Sequence, residues 1–420
     1  MRLVVTVFSI DEIRPDYDTV ELRAENLPDL DLRALRAATD KPIILTYRGS
    51  RAPDVRRALD AGIDFVDVEW HDGVEIIAPE RTVLSHHDYE GMRDVESIFA
   101  AMRARNCAYT KIAATPHNFA DNERLLRLLP GTVIGMGERG LYSRILAPFL
   151  GSELVFVAGN AIAAPGQLTL ERALAIYGRD GVVRASGTPS GGGAPEARTT
   201  RVFAILGNPA GHSLSPTVHN RLFREKGVPG AYTIASFEMF DEIKDAFLRG
   251  EPCGLSVTTP FKEDAFRFAE NDEMGENARR ARAVNTLVNV RGRIIADNTD
   301  VDGFKALLPE ARSAAVLGAG ATARAALVAL ENARIPTTVF NRTVHPGMQP
   351  LDKLATFDGD LIINTLPANV ALPIPPCDTY IEAAYGGAPR EVEARKRIGG
   401  IELLHAQAVR QHQLFMKVFE

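Results

Sequence analysis

The stretch Ala314-Ala-Val-Leu-Gly-Ala-Gly320 decides the architecture of the C-terminal half. Four apolar residues read as a strand, and two glycines flank an alanine in a tight turn. An Ala-rich run follows that reads as a helix, and Thr337–Phe340 reads as the next strand. A strand, glycine turn and helix in this order form a dinucleotide-binding βαβ unit, because first-turn amides and the helix dipole receive a pyrophosphate. A tight turn alone also explains Gly-x-Gly; the flanking strand and helix are what strengthen the reading. Gly318, Ala319, Gly320 and Ala321 are therefore candidate cofactor contacts, with Ala323 at the third small position. The second strand ends in Asn341-Arg342-Thr343. An NAD site places an acidic residue about twenty residues beyond the turn. An arginine with neutral polar neighbours suits a 2′-phosphate instead, so Asn341, Arg342 and Thr343 point to NADP(H).

Working outward, Leu361–Asn364 and Thr379–Ala383 read as further strands, and 403–418 as a final helix. Upstream, Val202–Leu206 reads as a strand leading to a helix that starts near Pro216. This half is expected to have two lobes: a substrate lobe at 200–300, joined by the terminal helix 403–420, and a Rossmann lobe at 301–402. Before it, Ser186-Gly-Thr-Pro-Ser-Gly-Gly-Gly-Ala-Pro195 has almost no hydrophobic anchor, so 186–199 reads as a flexible linker.

Residues 1–185 contain eight β-branched-rich runs: Leu3–Phe8, Thr19–Leu22, Ile43–Tyr47, Phe65–Glu69, Thr82–His86, Tyr109–Ala113, Thr132–Met136 and Leu154–Ala158. Helical patterns such as Val95–Arg105 and Leu168–Tyr177 lie between them. Eight strands alternating with helices predict a (β/α)8 barrel. Such barrels usually need roughly 200–250 residues, and Ser9–Asp18 leaves little room for a helix. The expectation is a compact barrel with outer helices shortened or missing. The fold class is thus α/β throughout.

Composition narrows the function classes. The chain of 420 residues is 45% hydrophobic and 24% charged, with a net charge of −6, so no global positive field draws in nucleic acid. Cys107, Cys253 and Cys377 are few and far apart, which indicates neither a disulfide framework nor a zinc site. No metal is expected. The first apolar run is too short for a signal peptide, and no stretch is long and apolar enough for a membrane span. A cytoplasmic protein acting on small molecules is expected, without nucleic-acid or membrane partners.

In a barrel, reactive groups stand at the C-terminal strand ends. Those ends carry Glu21, Arg23, Arg48, Glu69, His87 and Lys111, with Arg144 in the loop after the seventh run. A lone strand-end lysine is ordinarily a solvated charge, and a histidine pair in a turn is unremarkable; the joint placement changes the reading. Neighbouring arginines and desolvation lower a lysine pKa, and a neutral amine is what a Schiff-base nucleophile needs. His87 suits proton transfer, with Glu69 orienting it. The arginines suit a carboxylate. The residues themselves point to a Schiff-base lyase or aldolase acting on a small carboxylated ketone.

Taken in order, Glu21-Leu-Arg23, Thr46-Tyr-Arg48, Asp67-Val-Glu69, Ser85-His-His-Asp88, Lys111-Ile-Ala113, Gly140-Leu-Tyr-Ser-Arg144 and Ala164-Pro-Gly-Gln167 resemble type I 3-dehydroquinate dehydratase over nearly the whole first half. The resemblance implies that Lys111 forms an imine with the substrate ketone and that His87 removes the C2 proton and assists loss of water. It implies that Glu69 supports His87, and that Glu21, Arg23, Arg48, Arg144 and Gln167 hold substrate. Ala163 departs from the serine usual there.

The second half resembles shikimate dehydrogenase from end to end. In His212-Ser-Leu-Ser-Pro216, Ser215 is also an ordinary helix N-cap before a proline at N1. The resemblance makes Ser213 and Ser215 carboxylate ligands. Val257-Thr-Thr-Pro-Phe-Lys262 matches the segment with the catalytic lysine, so Thr258 and Lys262 enter the site. Ala283-Val-Asn-Thr286 supplies Asn285, and Asp297-Asn-Thr-Asp300 supplies the catalytic Asp300. Tyr385 and Gln407 fall near nicotinamide and substrate. Ser256, Ala321 and Glu382 depart from the asparagine, glycine and aspartate usual at those positions. An isolated Lys and Asp would ordinarily be a surface ion pair; here an ammonium near a ketone stabilises and protonates the developing alkoxide. Together the halves imply a bifunctional enzyme that turns 3-dehydroquinate into 3-dehydroshikimate and then, with NADPH, into shikimate. Two other readings are a quinate/shikimate dehydrogenase with a degenerate barrel and a non-catalytic quinate-responsive regulator.

Overall fold

The computed structural model describes residues 2–27, 29–48, 54–178, 200–385 and 390–420. The expected linker at 186–199 lies outside them. The chain divides into two compact units, Met1–Thr200 with Phe223–Phe237, and Arg201–Leu222 with Glu238–Glu420.

The first unit is built on β1 (Arg2–Val7), β2 (Val20–Arg23), β3 (Ile43–Thr46), β4 (Phe65–Glu69), β5 (Thr82–Asp88), β6 (Tyr109–Ala114), β7 (Thr132–Gly135) and β8 (Leu154–Ala158). Every ladder is parallel, and the order is β7-β6-β5-β4-β3-β2-β1-β8. With β8 paired to β1, the consecutive strands β7 and β8 form the two edges, and the sheet curls into a nearly closed barrel. Most strand residues are buried, as parallel strands covered on both faces require.

Around the strands lie α1 (Leu32–Ala37), α2 (Val55–Asp60), α3 (Val95–Arg103), α4 (Phe119–Leu126), α5 (Leu141–Leu150) and α6 (Leu170–Tyr177). Asp31, Asp54, Asn118 and Thr169 cap four of these helices by accepting first-turn amides. Only single 3-10 turns, Ile10–Glu12 and Pro79–Arg81, connect β1 to β2 and β4 to β5. The outer ring is therefore trimmed, as chain length required.

The second unit opens with β9 (Arg201–Gly207) and α7 (Ser215–Glu225); β10 (Gly230–Ser236) falls in the segment that clusters with the first unit. Then come α8 (Asp241–Arg249), β11 (Gly254–Val257), α9 (Lys262–Phe268), β12 (Glu273–Met274), α10 (Glu276–Ala281), β13 (Thr286–Val290), β14 (Arg293–Asp297) and α11 (Thr299–Leu307). Strand β11 pairs β9 in parallel and β13 antiparallel; β14 pairs β13 antiparallel and β12 in parallel. The β13–β14 hairpin turns through Arg291 and Gly292, both at positive φ (55° and 91°), as a two-residue hairpin loop demands.

The second lobe holds β15 (Ala314–Leu317), α12 (Ala321–Asn332), β16 (Thr337–Asn341), β17 (Met348–Pro350), β18 (Leu361–Asn364), β19 (Cys377–Glu382) and β20 (Ala394–Ile398), and α13 (Gly400–Met416) follows. Its sheet is parallel in the order β17-β16-β15-β18-β19-β20. A Cβ on Gly303 would lie 2.8 Å from Gln407 Cβ, so this glycine lets α11 close onto α13. That contact brings Asp300 and Gln407 to one cavity.

Candidate active sites

The barrel interior contains a continuous polar layer. Lys111 is the third of six residues in β6, one level inside the strand end where it was expected. Its Nζ lies 3.1 Å from Asp67 Oδ2 and 3.9 Å from Glu21 Oε1, and 4.0 Å from the centre of the Phe156 ring. Carboxylates are thus its immediate charged neighbours, in place of the crowd of arginines expected there. Asp67 is the hub: Arg48 grips it bidentately at 2.8 and 3.0 Å, and Ser85 Oγ donates to it at 2.5 Å. Burial by itself would raise the Asp67 pKa, but Arg48 and Lys111 outweigh it and hold the carboxyl well below the usual range. Arg48 also reaches Glu69 at 3.4 Å, and its own pKa is raised because Asp67 outweighs the cost of burial.

Glu21 accepts from Thr6 Oγ1 (2.7 Å) and Thr46 Oγ1 (2.9 Å). Gln167 donates to Thr6 Oγ1 at 3.2 Å and accepts from the Ala163 amide at 2.7 Å. These bonds tie the loop after β8 to the floor of the barrel. Arg23 stands apart, paired with Glu25 at 2.5 Å.

His87 Nδ1 lies 2.7 Å from Glu69 Oε2, and its backbone N–H donates to Glu69 Oε1 at 2.9 Å. Burial, then Arg48 and Lys111, lower the His87 pKa against the opposing bond from Glu69, so the ring is neutral at neutral pH. Glu69 is itself held below its usual value: burial raises it, and His87 and Arg48 together prevail. Arg144 sits in the first turn of α5 rather than in a loop, because the chain turns helical right after Gly140. It is buried, donates to the Pro165 carbonyl at 3.2 Å, and has an unpartnered Nε; desolvation pushes its pKa down to about 10. A buried guanidinium without a carboxylate partner among the described residues fits an anionic ligand.

The second unit encloses a cavity of about 400 Å³ lined by Ser213, Ser215, Thr258, Lys262, Asn285, Asp300, Tyr385 and Gln407, which the sequence had singled out. Lys262 Nζ is 2.6 Å from Asp300 Oδ2 and 3.3 Å from Thr322 Oγ1 in the first turn of α12. Asn285 Nδ2 donates to Asp300 Oδ1 at 2.8 Å, and Thr299 Oγ1 donates to Gln407 Oε1 at 2.8 Å. Ser213 Oγ accepts from the Ser215 amide at 3.2 Å. Burial raises the Tyr385 pKa against a bond to Ser213, so it stays a phenol.

At the glycine turn, Gly318 takes φ 104°, and a Cβ there would meet Thr365 Oγ1 at 2.7 Å. A Cβ on Gly320 would meet nothing within 4 Å. Helix α12 starts at Ala321 with no side-chain cap and no acidic residue in its first turn. Asn341 ends β16, and its Nδ2 donates to the Thr343 carbonyl at 2.9 Å. Arg342 is exposed and makes no ion pair among the described residues. The open Gly320, a helix start without a side-chain cap and an arginine with no ion pair among the described residues fit a dinucleotide phosphate chain with an extra phosphate.

Residues 7–183 match the family model of type I 3-dehydroquinase, and residues 205–287 match that of the shikimate dehydrogenase substrate binding domain. The chain carries these two family domains in tandem. A bifunctional 3-dehydroquinate dehydratase/shikimate dehydrogenase of Arabidopsis thaliana is 26% identical, over 79% of this chain and 62% of that one. The pentafunctional AROM polypeptide of Zygosaccharomyces rouxii is 30% identical, over 80% of this chain and 23% of its own length. The shikimate biosynthesis protein AroDE of Chlamydia pneumoniae is 27% identical, over 96% of this chain and 91% of that one. The chain thus spans under two thirds of the first two relatives.

In the dehydroquinase domain, sequence reasoning missed Asp67, Thr6, Thr46 and Ser85. Their signal was the two-residue strand period, which puts Asp67 on the same face as Glu69. In the dehydrogenase half it missed Thr322, Gln411 and His219, whose neighbours are remote in sequence. Among the described residues no cluster could hold a metal ion, and no helix is long and apolar enough to cross a membrane.

Proposed function

We propose that the chain catalyses two consecutive steps, dehydrating 3-dehydroquinate to 3-dehydroshikimate in the barrel and reducing that product to shikimate in the second half. The observation that carries the reading is the pair of buried lysines, one per unit, each set against a carboxylate: Lys111 at 3.1 Å from Asp67, Lys262 at 2.6 Å from Asp300.

In the barrel, Lys111 gives up one ammonium proton and its nitrogen attacks the ketone carbon. The carbonyl oxygen departs as water with that proton and a second one from the nitrogen, leaving an iminium. His87, neutral and held through Nδ1 by Glu69, takes the C2 proton at Nε2, and the C–H electrons pass toward the iminium to form an enamine. When those electrons return, the C1 hydroxyl leaves as water with the proton from His87, and hydrolysis of the imine frees Lys111. Arg144 and Arg48 face the substrate carboxylate and hydroxyls, with Glu21 and Gln167 around them, while Arg23 would have to leave Glu25 to join them.

In the second half, Ser213 and Ser215 hold the carboxylate, with Thr258, Tyr385 and Gln407 beside them. Lys262 gives its proton to the carbonyl oxygen, and Asp300, fixed by Asn285, keeps that ammonium in place. NADP(H), when bound, supplies the hydride. Gly318 to Ala321 would receive its pyrophosphate, and Asn341, Arg342 and Thr343 its 2′-phosphate. Cys107, Cys253 and Cys377 are free thiols, which suits a reducing compartment such as the cytoplasm.

The test is direct. Purified chain given 3-dehydroquinate and NADPH should yield shikimate, with NADPH consumed in equal amount. Accumulation of 3-dehydroshikimate without shikimate would remove the second activity; untouched 3-dehydroquinate would remove the first.

A further inference from the structure

We propose that Gln411 is a positioning residue of the reductase site, aligning Asp300 and Lys262 through a one-way chain of hydrogen bonds. The inference rests on reading the second half as a 3-dehydroshikimate reductase.

Gln411 lies on α13 one turn beyond Gln407, is 1% exposed, and lines the same cavity. All four of its hydrogen-bonding positions are used. Oε1 is 2.7 Å from Ser256 Oγ and 3.0 Å from His219 Nε2; Nε2 is 3.2 Å from the Asn285 carbonyl and 2.8 Å from Thr286 Oγ1. A carbonyl only accepts, so the amide nitrogen must face Asn285. Oε1 then only accepts, so Ser256 donates its proton and His219 carries one on Nε2.

The consequence propagates. Thr286 Oγ1 accepts from Gln411 and donates to Asn285 Oδ1 at 2.8 Å. With Oδ1 engaged by Thr286 and by the Thr299 backbone N–H at 2.8 Å, Asn285 turns its Nδ2 donors to Asp300 Oδ1 at 2.8 Å and Thr299 Oγ1 at 3.1 Å. Asp300 Oδ2 holds Lys262 at 2.6 Å. Donors therefore run in one direction from Gln411 to the carboxylate that holds the proton donor, and bonds aligned this way polarise one another. Without Gln411 the Thr286 hydroxyl loses the donor that directs its own proton to Asn285 Oδ1, and that oxygen is left to the Thr299 side, where the backbone N–H donates at 2.8 Å, so Asn285, and Asp300 through it, is less firmly placed. His219 supports the arrangement: its pKa is pushed down to about 3 by burial and by His412, so it does not bring a charge to Gln411.

The experiment uses the full chain, 3-dehydroshikimate and NADPH, with dehydration of 3-dehydroquinate as internal control. Gln411→Met keeps length and removes every polar atom. It should lower kcat for reduction by about tenfold or more, the scale of one or more lost buried hydrogen bonds. The NADPH KM and the dehydratase rate should stay within about twofold. Gln411→Glu adds a readout that a merely structural role would not move. A carboxylate cannot donate to Thr286 and would oppose the Asn285 carbonyl, whereas the protonated acid restores one of the two donations, enough to direct Thr286 again. Its kcat should approach wild type at acid pH and fall as pH rises through a new ionisation. His219 on α7, His412 on α13, and Asp300 and Lys262 beyond Asn285 also titrate there, so the comparison is the variant-to-wild-type ratio at each pH. A kcat for Gln411→Met within about twofold of wild type, or a Gln411→Glu ratio flat with pH, overturns the proposal; if Gln411→Met does not fold, the Gln411→Glu ratio alone decides. A wild-type chain that dehydrates but reduces nothing sinks the reading of the second half, and this inference with it.

Discussion

Glu69 holds His87 at two points, one oxygen 2.7 Å from the ring Nδ1 and the other accepting the backbone N–H of the same residue at 2.9 Å. The backbone bond places the carboxylate and the ring bond orients the imidazole, so the ring cannot turn without breaking its bond to Oε2, and Nε2 is left for substrate. Glu69→Gln keeps the shape and removes the charge. Glu69 raises the His87 pKa against burial, so its loss should lower that pKa further. A base works only when neutral, and activity is lost as pH falls through its pKa. The acid limb of kcat/KM for dehydration should therefore move to lower pH, with a plateau loss between about tenfold and the roughly 10²–10⁴ expected from removing His87 itself. An acid limb that does not move would show that Glu69 is not coupled to the proton-transferring group.

The imine is tested by trapping. Borohydride added with 3-dehydroquinate should fix ligand mass on Lys111 and stop dehydration. Lys111→Ala should take no label. His87→Ala should still be labelled, since the imine forms before proton removal, while turnover falls by roughly 10²–10⁴. Label on another lysine, or turnover in Lys111→Ala, would mean a different nucleophile or a route without an imine.

Asp67 is fully buried and binds two cations. Asp67→Asn leaves Arg48 and Lys111 without that charge and should cost the barrel about 3–5 kcal/mol, the usual effect of breaking a buried pair. The sign with pH follows from its depressed pKa. The stabilisation is complete above the ordinary aspartate value of about 3.9 and is lost as pH falls below it. Thermal unfolding of the two proteins should differ most near neutrality and converge in acid. Equal melting at pH 7 would contradict the assignment.

Lys262→Ala should lower shikimate formation by roughly two to four orders of magnitude, the reach of general acid catalysis. Dehydration by the same molecule should not change. If both rates fall together, the substitution has damaged the fold rather than the chemistry.

Arg342 is exposed and without an ion-pair partner among the described residues, at the end of β16. A charge-assisted contact to a 2′-phosphate is worth roughly 1.5–3 kcal/mol. Arg342→Ala should accordingly raise the NADP KM by about tenfold to over a hundredfold and leave NADH use almost unaltered. Equal use of both cofactors by the unmutated chain would refute the assignment.

What could be read from the chain by itself was local. The eight barrel strands lie where β-branched runs stand, since parallel strands buried on both faces must be apolar over short lengths. The glycine turn at 318–320 was legible because its strand, turn and helix are contiguous. The missing outer helices followed from chain length. Lys111, His87, Lys262 and Asp300 were found through short motifs, each readable within a few residues.

Tertiary structure decided which charges meet. Nothing in Asp67-Val-Glu69 says that Asp67 takes Arg48, Ser85 and Lys111 while Glu69 takes His87; the register of β3, β4, β5 and β6 does, through the pairs Thr46↔Asp67, Glu69↔Ser85 and Ser85↔Lys111. The carboxylates beside Lys111 were hidden for the same reason, because strand-end composition carries no information about which side chains share a layer. Gln411 is the extreme case. On its own helix it is one more polar residue among several, and its hydrogen-bond partners are at least 125 residues away. Hydrogen bonds act over about 3 Å, so a role made entirely of such contacts exists only once α13 has packed against α7, β11 and β13.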